Sequence, residues 1–321
     1  MKQRVFEEKY RGDWKLLEAL FQGKIKKDSD LLENFPTMYR RLCRQLAIAR
    51  GRNYSPILIQ YLEELVASGH QRFYGRRGGA EMRIIRYFQR DFPRAVRKEW
   101  KLILFSHLLF YVPLIGIALL TQIYPDLPHM LLPADMIMGM EESYDPANGN
   151  FEKERDASAD FMMWGYYIMN NVGIDFRCFA GGLFAGIGSI FFMIYNGVVI
   201  GSVAGHLTQV GFGSTFWPFV SGHSAPELTA ACFSGACGMK LGFSFIMPGA
   251  KTRLQSLKDS AADAMTLLWG TAFMTFLAAF IEAFWSSSSL VPVEVKYWAG
   301  ASLWLGMICY FTFMGHRRGS E

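Results

Sequence analysis

From Leu102 to Gln122 the chain passes through about 20 residues with no Asp, Glu, Lys or Arg, enough for a helix to cross a hydrocarbon core of ~30 Å. Such a stretch in lipid has to be helical, because its backbone polar groups find no water to pair with. Apolar stretches of similar character recur at about 223–247, 262–285 and 297–315, and a longer one covers 178–211. The chain is therefore expected to be all-α, a polytopic transmembrane helix bundle preceded by a soluble helical domain. Charged residues make up 19% of the sequence, below the ~25% usual for soluble domains. A purely soluble enzyme is excluded.

The charges are unevenly placed. Residues 1–101 carry 23 Lys/Arg against 12 Asp/Glu, whereas residues 102–321 carry 10 against 16. Two domains follow from this division: a cytosolic helical domain over 1–98 and a transmembrane domain over 99–321. Within the first, residues 7–22 place Trp14, Leu17, Leu20 and Phe21 on one stripe, which predicts an amphipathic helix. A second helix, capped from Asp28-Ser29-Asp30 and ending at Gly51, sets Met38, Leu42, Leu46 and Ala49 on one side. Ser55-Pro56 opens a third, which buries Ile59, Leu62, Leu65 and Val66. Residues 80–92 set Met82, Ile85 and Phe88 against Arg83, Arg86 and Arg90, a pattern that fits the inner membrane surface. No secretory signal is expected, since the first long apolar run begins near Leu102.

Residues 123–176 hold 2 basic and 10 acidic residues. By the positive-inside rule this acidic segment faces outward and the N-terminal domain inward, with 161–172 a helix in the outer interface. The stretch 178–211 is too long for one span, and Asn196-Gly197 interrupts it. Read as two segments meeting there, it gives six spans with both termini in the cytosol; five spans plus a re-entrant hairpin is the rival. The localisation expected is the bacterial cytoplasmic (inner) membrane. Gly182/Gly186, Gly197/Gly201/Gly205 and Gly238/Gly242 fall at four-residue spacing, with Gly235 nearby. That is the small-xxx-small pattern by which helices approach closely in lipid.

Ionisable groups within spans are costly and mark the candidate site. His206, His223, Glu227 and Glu282 are expected at one level near the outer leaflet, as a polar cluster that fixes helix register. The same four could hold a ligand or proton in a membrane transporter or channel, or the metal of an intramembrane metalloenzyme. His223 and Glu227 share a helix face at i and i+4. Lys240, 13 residues beyond Glu227, belongs on the inner side. The spacing lacks an HExxH signature, and no nucleophile–base pair stands out, so neither an enzyme nor a cofactor is expected. The five cysteines are odd in number and scattered through apolar runs, which excludes a disulfide framework. The N-terminal arginines follow no nucleic-acid-binding motif, and no nucleic-acid partner is expected.

The stretch Ser221-Gly-His-Ser-Ala-Pro-Glu-Leu228, followed by Ser234-Gly-Ala-Cys-Gly-Met-Lys-Leu-Gly242, resembles the stage II sporulation protein M family of bacterial integral membrane proteins. His223, Glu227, Gly235, Gly238 and Lys240 fall on the family's pattern, and Ser224 and Cys237 depart from it. Asn171, Gly182, Gly186, Asn196-Gly197 and Ile281-Glu282-Ala283-Phe284 extend the match. The resemblance implies a scaffold that assembles or localises cell-envelope remodelling partners, including peptidoglycan-remodelling or AAA+ ATPase-linked proteins. The lipid bilayer is a partner in any case, and a homo-oligomer is compatible with the glycine pattern.

Overall fold

The computed structural model describes residues 2–21, 29–74, 79–150 and 156–316. Asp28, the Gly75–Gly78 break and the basic Arg317-Arg318 tail lie outside them. The chain divides into two compact units, Met1–Ile85 and Arg86–Glu321.

The first unit packs α1 (Gln3–Phe21), α2 (Ser29–Gly51) and α3 (Pro56–Tyr74). Its core is built of large side chains: Phe6, Trp14, Leu17, Leu42, Leu58, Leu62 and Leu65 are all buried. The expected stripes supply Trp14, Leu17, Leu42, Leu62 and Leu65, whereas Phe6 and Leu58 were not among them. Trp14 donates through Nε1 to Gln45 Oε1 at 2.7 Å, pairing two polar groups in that core. Ser55 Oγ accepts from the Leu58 amide, and Pro56 occupies the first helical turn, where a missing N–H costs nothing. Helix α4 (Gly79–Arg86) follows and runs to the division between the units.

The second unit starts earlier than composition implied, at Arg86 rather than 99. A π-helical turn (Tyr87–Asp91) and α5 (Phe92–Lys98) belong to it because Phe92 is buried against Phe233, Tyr310 and Phe311. The remaining helices are α6 (Trp100–Ile123), α7 (Leu127–Leu131), α8 (Ala134–Tyr144), α9 (Ala157–Ala180), α10 (Ile187–Gln209), α11 (Gly213–Ser221), α12 (Ser224–Ile246), α13 (Arg253–Ile281) and α14 (Val293–Phe313). A π-helical turn over Glu282–Ser286 prolongs α13.

Among the described residues four helices are long and apolar enough to cross a membrane: α6, α10, α12 and α13 with its extension. Helices α9 (24 residues) and α14 (21 residues) run the length of the bundle beside them. The contacts fix directions. Phe161 of α9 meets Phe284, and Asp175 further along α9 meets Thr275, so α9 is antiparallel to α13. Gly197 of α10 lies on Phe110 of α6, and Gly201 on Leu114, so α6 and α10 are parallel. One end of the bundle, the basic end, carries α5, Lys240, Lys251 and Arg253; the other, the acidic end, carries α7 and α8.

Three expectations change as a result. The stretch 178–211 is neither two spans nor a re-entrant hairpin, because α10 runs unbroken through Asn196-Gly197. Asn196 Nδ2 donates to the Phe192 carbonyl one turn back (2.7 Å), and Gly197 is pressed against the Phe110 carbonyl of α6. The break falls instead at Gly181–Gly186, where Gly186 has φ 84°. Residues 161–172 are not an interfacial helix but the middle of α9, which returns the chain to the basic end.

The glycines are contact points. A side-chain carbon built at Gly182 would overlap the Gly238 backbone, and one at Gly242 would overlap Gly186, so the Gly181–Gly186 turn seats directly on α12. On α10, Gly197 and Gly201 do the same against α6. Gly235 faces Met193 and Ser106. Helix α12 ends up central, with 72% of its apolar window buried, whereas α6 has 17%. The exposed Leu104, Leu108, Val112, Ile115 and Leu119 of α6 form its outward face.

Candidate functional site

The arrangement of α12 and α13 brings together three of the four expected ionisable groups. His223 is the residue just before α12, Glu227 lies in that helix's first turn, and Glu282 opens the π-helical turn at the end of α13. One ligand atom from each lies within 4.8 Å of the other two. His223 Nε2 is 3.8 Å from Glu227 Oε2 and 4.0 Å from Glu282 Oε1. The three side chains are 7, 22 and 11% exposed, so the cluster is inside the bundle near its acidic end.

The surroundings hold these groups in place. His223 Nδ1 and Ser286 Oγ share a hydrogen bond of 3.0 Å, and Lys296 Nζ donates to the Ser286 carbonyl at 2.8 Å. Asn171 Nδ2 of α9 donates to Glu282 Oε2 at 3.3 Å. Glu227 Oε2 is closed to solvent and has no hydrogen-bond partner among the described residues. Beside Glu227 is a cavity of about 20 Å³ lined by Asn171, Asp175, Asn196 and Thr275 together with apolar residues. That is room for one water-sized ligand. Asp175 accepts a hydrogen bond from Thr275 Oγ1.

His206 does not join the cluster. It faces Glu141 of α8, with Nε2 at 2.7 Å from Oε1, and its ring meets that of His129 edge-on. Sequence reasoning missed Glu141 because the acidic segment gave no periodicity on which to place α8. Asp175 was missed as well, and Asn171 entered only through the family resemblance. Asn171 and Asp175, four positions apart and separated only by Val172, Gly173 and Ile174, were the available signal.

Lys240 sits at the basic end, as its distance from Glu227 required. It pairs with Glu99 at 2.7 Å and Asp263 at 3.0 Å, and Lys98 shares Asp263 at 2.6 Å. The cation is thus neutralised within the protein. The buried Cys178, Cys232 and Cys237 are free thiols within the helix contacts.

An all-helical unit with this many long apolar helices, with a buried polar cluster between them, is a polytopic α-helical membrane protein. The family model of Stage II sporulation protein M matches residues 104–287, more than half of the chain, and the chain belongs to that family. The match runs from α6 through the π-helical turn that carries Glu282 and takes in the whole His223/Glu227/Glu282 cluster. A second model, a domain of unknown function (DUF8413), matches residues 4–75 in the first unit. No curated protein and no solved structure matches the chain.

Proposed function

We propose that the protein is a multi-pass scaffold of the bacterial inner membrane, with both termini in the cytosol, that assembles or localises cell-envelope remodelling partners. The observation that carries this reading is the packing. Helices meet backbone to backbone at α6/α10 and where the Gly181–Gly186 turn seats on α12. The polar core adjoins a cavity of only about 20 Å³. A frame locked in this way is suited to holding partners in register. A transporter has to open a path, and close-packed interiors resist that.

The positive-inside rule supports the orientation, since the basic end carries Lys98, Lys101, Lys251 and Arg253. At the opposite end Asp126, Asp135 and Glu142 are exposed and offer an acidic surface on the outer side. The scaffold role is non-enzymatic.

In-cell cross-linking followed by purification in mild detergent tests the proposal. The expected result is reproducible recovery of envelope proteins with this chain, reduced when Asp126, Asp135 and Glu142 are replaced by Lys. Repeated recovery of the chain alone would overturn it. Reaction of a Glu227→Cys variant with aqueous thiol reagents would favour a conducting path instead.

A further inference from the structure

We infer that His223, Glu227 and Glu282 bind a single divalent transition-metal ion, with Zn²⁺ the best match to their donor set. This does not depend on the scaffold reading. The donors are one imidazole nitrogen and two carboxylate oxygens, a hard-to-borderline set that suits Zn²⁺ and is unlike the thiolate or thioether set that selects Cu(I).

Geometry carries the argument. Three atoms all within 4.8 Å of one another have a common centre no more than about 2.8 Å from each, so inward movement of well under 1 Å reaches Zn–N and Zn–O bond lengths of about 2.0–2.2 Å. At 3.8 and 4.0 Å the carboxylates are too far from His223 Nε2 for hydrogen bonds, yet they point at it. Among the described residues Glu227 Oε2 has no hydrogen-bond partner. Two carboxylates facing each other inside an apolar bundle are strongly unfavourable while both are ionised with no cation between them. A divalent ion cancels both charges and gives the orphaned oxygen a partner.

The outer contacts have the form that metal sites use. A ligating histidine is commonly oriented by a hydrogen bond at its other ring nitrogen, here to Ser286 Oγ, and a ligating carboxylate by a donor, here Asn171. The π-helical turn over Glu282–Ser286 sets both Glu282 and Ser286 toward His223, and such turns recur at functional sites. An ion there joins the start of α12 to the end of α13 and, through Asn171, to α9. It is a clamp at the acidic end of the bundle.

The test uses full-length protein in mild detergent, stripped with a chelator, reloaded with ZnCl₂ or MnCl₂, desalted and measured by elemental analysis. The expected result is about one zinc per chain, a tenfold or greater loss in Glu227→Gln and Glu282→Gln, and full retention in His206→Ala. Added ZnCl₂ should also raise the thermal midpoint of the stripped wild type by several degrees and leave the two Gln variants unmoved. The wild-type titration stands alone if a variant fails to fold. Wild-type protein that retains neither metal and shows no thermal shift would overturn the inference, as would equal zinc in Glu227→Gln. Retention of Mn²⁺ but not Zn²⁺ would overturn the choice of metal.

Discussion

The two units of this chain are both helical, yet glycine plays opposite parts in them. In the first unit, Phe6, Trp14, Leu17, Leu42 and Leu62 fill the space between helices. In the second, the closest helix contacts are made by Gly182, Gly197, Gly201, Gly238 and Gly242, while many large side chains of α6 point away from the bundle. Solvent explains the contrast. In water, burying each large apolar side chain contributes about 1.5–3 kcal/mol, so cores are built from them. In lipid that gain vanishes, and helices associate through close backbone approach and polar pairing. The same physics puts polar residues outside the first unit and inside the second, where Glu227 and Glu282 meet His223.

Substitutions that exchange the two packing styles should break each unit in its own way. The largest effect is expected for Gly238→Val. A side chain there meets Ser189 Oγ and the Cys178 and Phe179 carbonyls. Backbone cannot yield as a side-chain tip can, so the cost should exceed the ~1–3 kcal/mol of ordinary overpacking. Loss of a monodisperse peak in detergent size exclusion is the expected outcome; a Gly238→Val protein with wild-type elution and melting would contradict this account of the core.

The reverse change, Trp14→Ala, removes bulk where bulk holds the helices together and strands Gln45. It should destabilise the first unit by about 3–5 kcal/mol. Pulse proteolysis of the full chain should show faster cleavage within residues 1–85, with the metal content of the second unit unaltered. Unchanged cleavage would mean that α1 contributes little to the first unit.

The smallest expected effect sharpens the comparison through pH. Tyr61 in the first unit donates to Glu18 Oε2 at 3.1 Å, and burial, followed by the Glu18 charge, raises its phenol to about 12. Unfolded, the phenol ionises near about 10. Between these values the unfolded chain has released a proton that the folded chain still holds, so stability falls as pH rises through that window. Tyr61→Phe should lose stability less steeply than wild type from pH 10 to 12, as followed by helical circular dichroism; identical slopes would contradict it.

Most of this architecture could be read from the residues, and its exceptions have physical causes. Helices α6, α12 and α14 begin and end within a few residues of the apolar runs, because a helix that crosses a hydrocarbon core has to stay largely apolar along its length. Helix α9 was expected only as an interfacial helix over 161–172, because Asp160, Asn170, Asn171, Asp175 and Arg177 dilute its hydropathy, and Asn171 and Asp175 are polar because they face the core. Asn196-Gly197 looks like a turn in any sequence. Here Asn196 is satisfied by its own helix and Gly197 by α6, and neither partner is visible locally. The meeting of His223, Glu227 and Glu282 followed from helix directions alone. Adding His206 to them failed because its partner Glu141 lies on α8, a helix with no strong pattern of its own.

The course of α9 is what the six-helix account depends on most, and the side on which the Gly181–Gly186 turn emerges tests it directly. Phe184 in that turn is 77% exposed, Met247 at the end of α12 is 70% exposed and Met130 on α7 is 81% exposed. Single cysteines at these positions, in a background lacking Cys43 and Cys309, can be labelled with a membrane-impermeant maleimide on intact and inverted vesicles. The account predicts that positions 184 and 247 react from the same face and position 130 only from the opposite one. Labelling of 184 from the face that labels 130, or protection of 184 from both faces, would show that the chain does not return along α9 and would contradict the bundle described here.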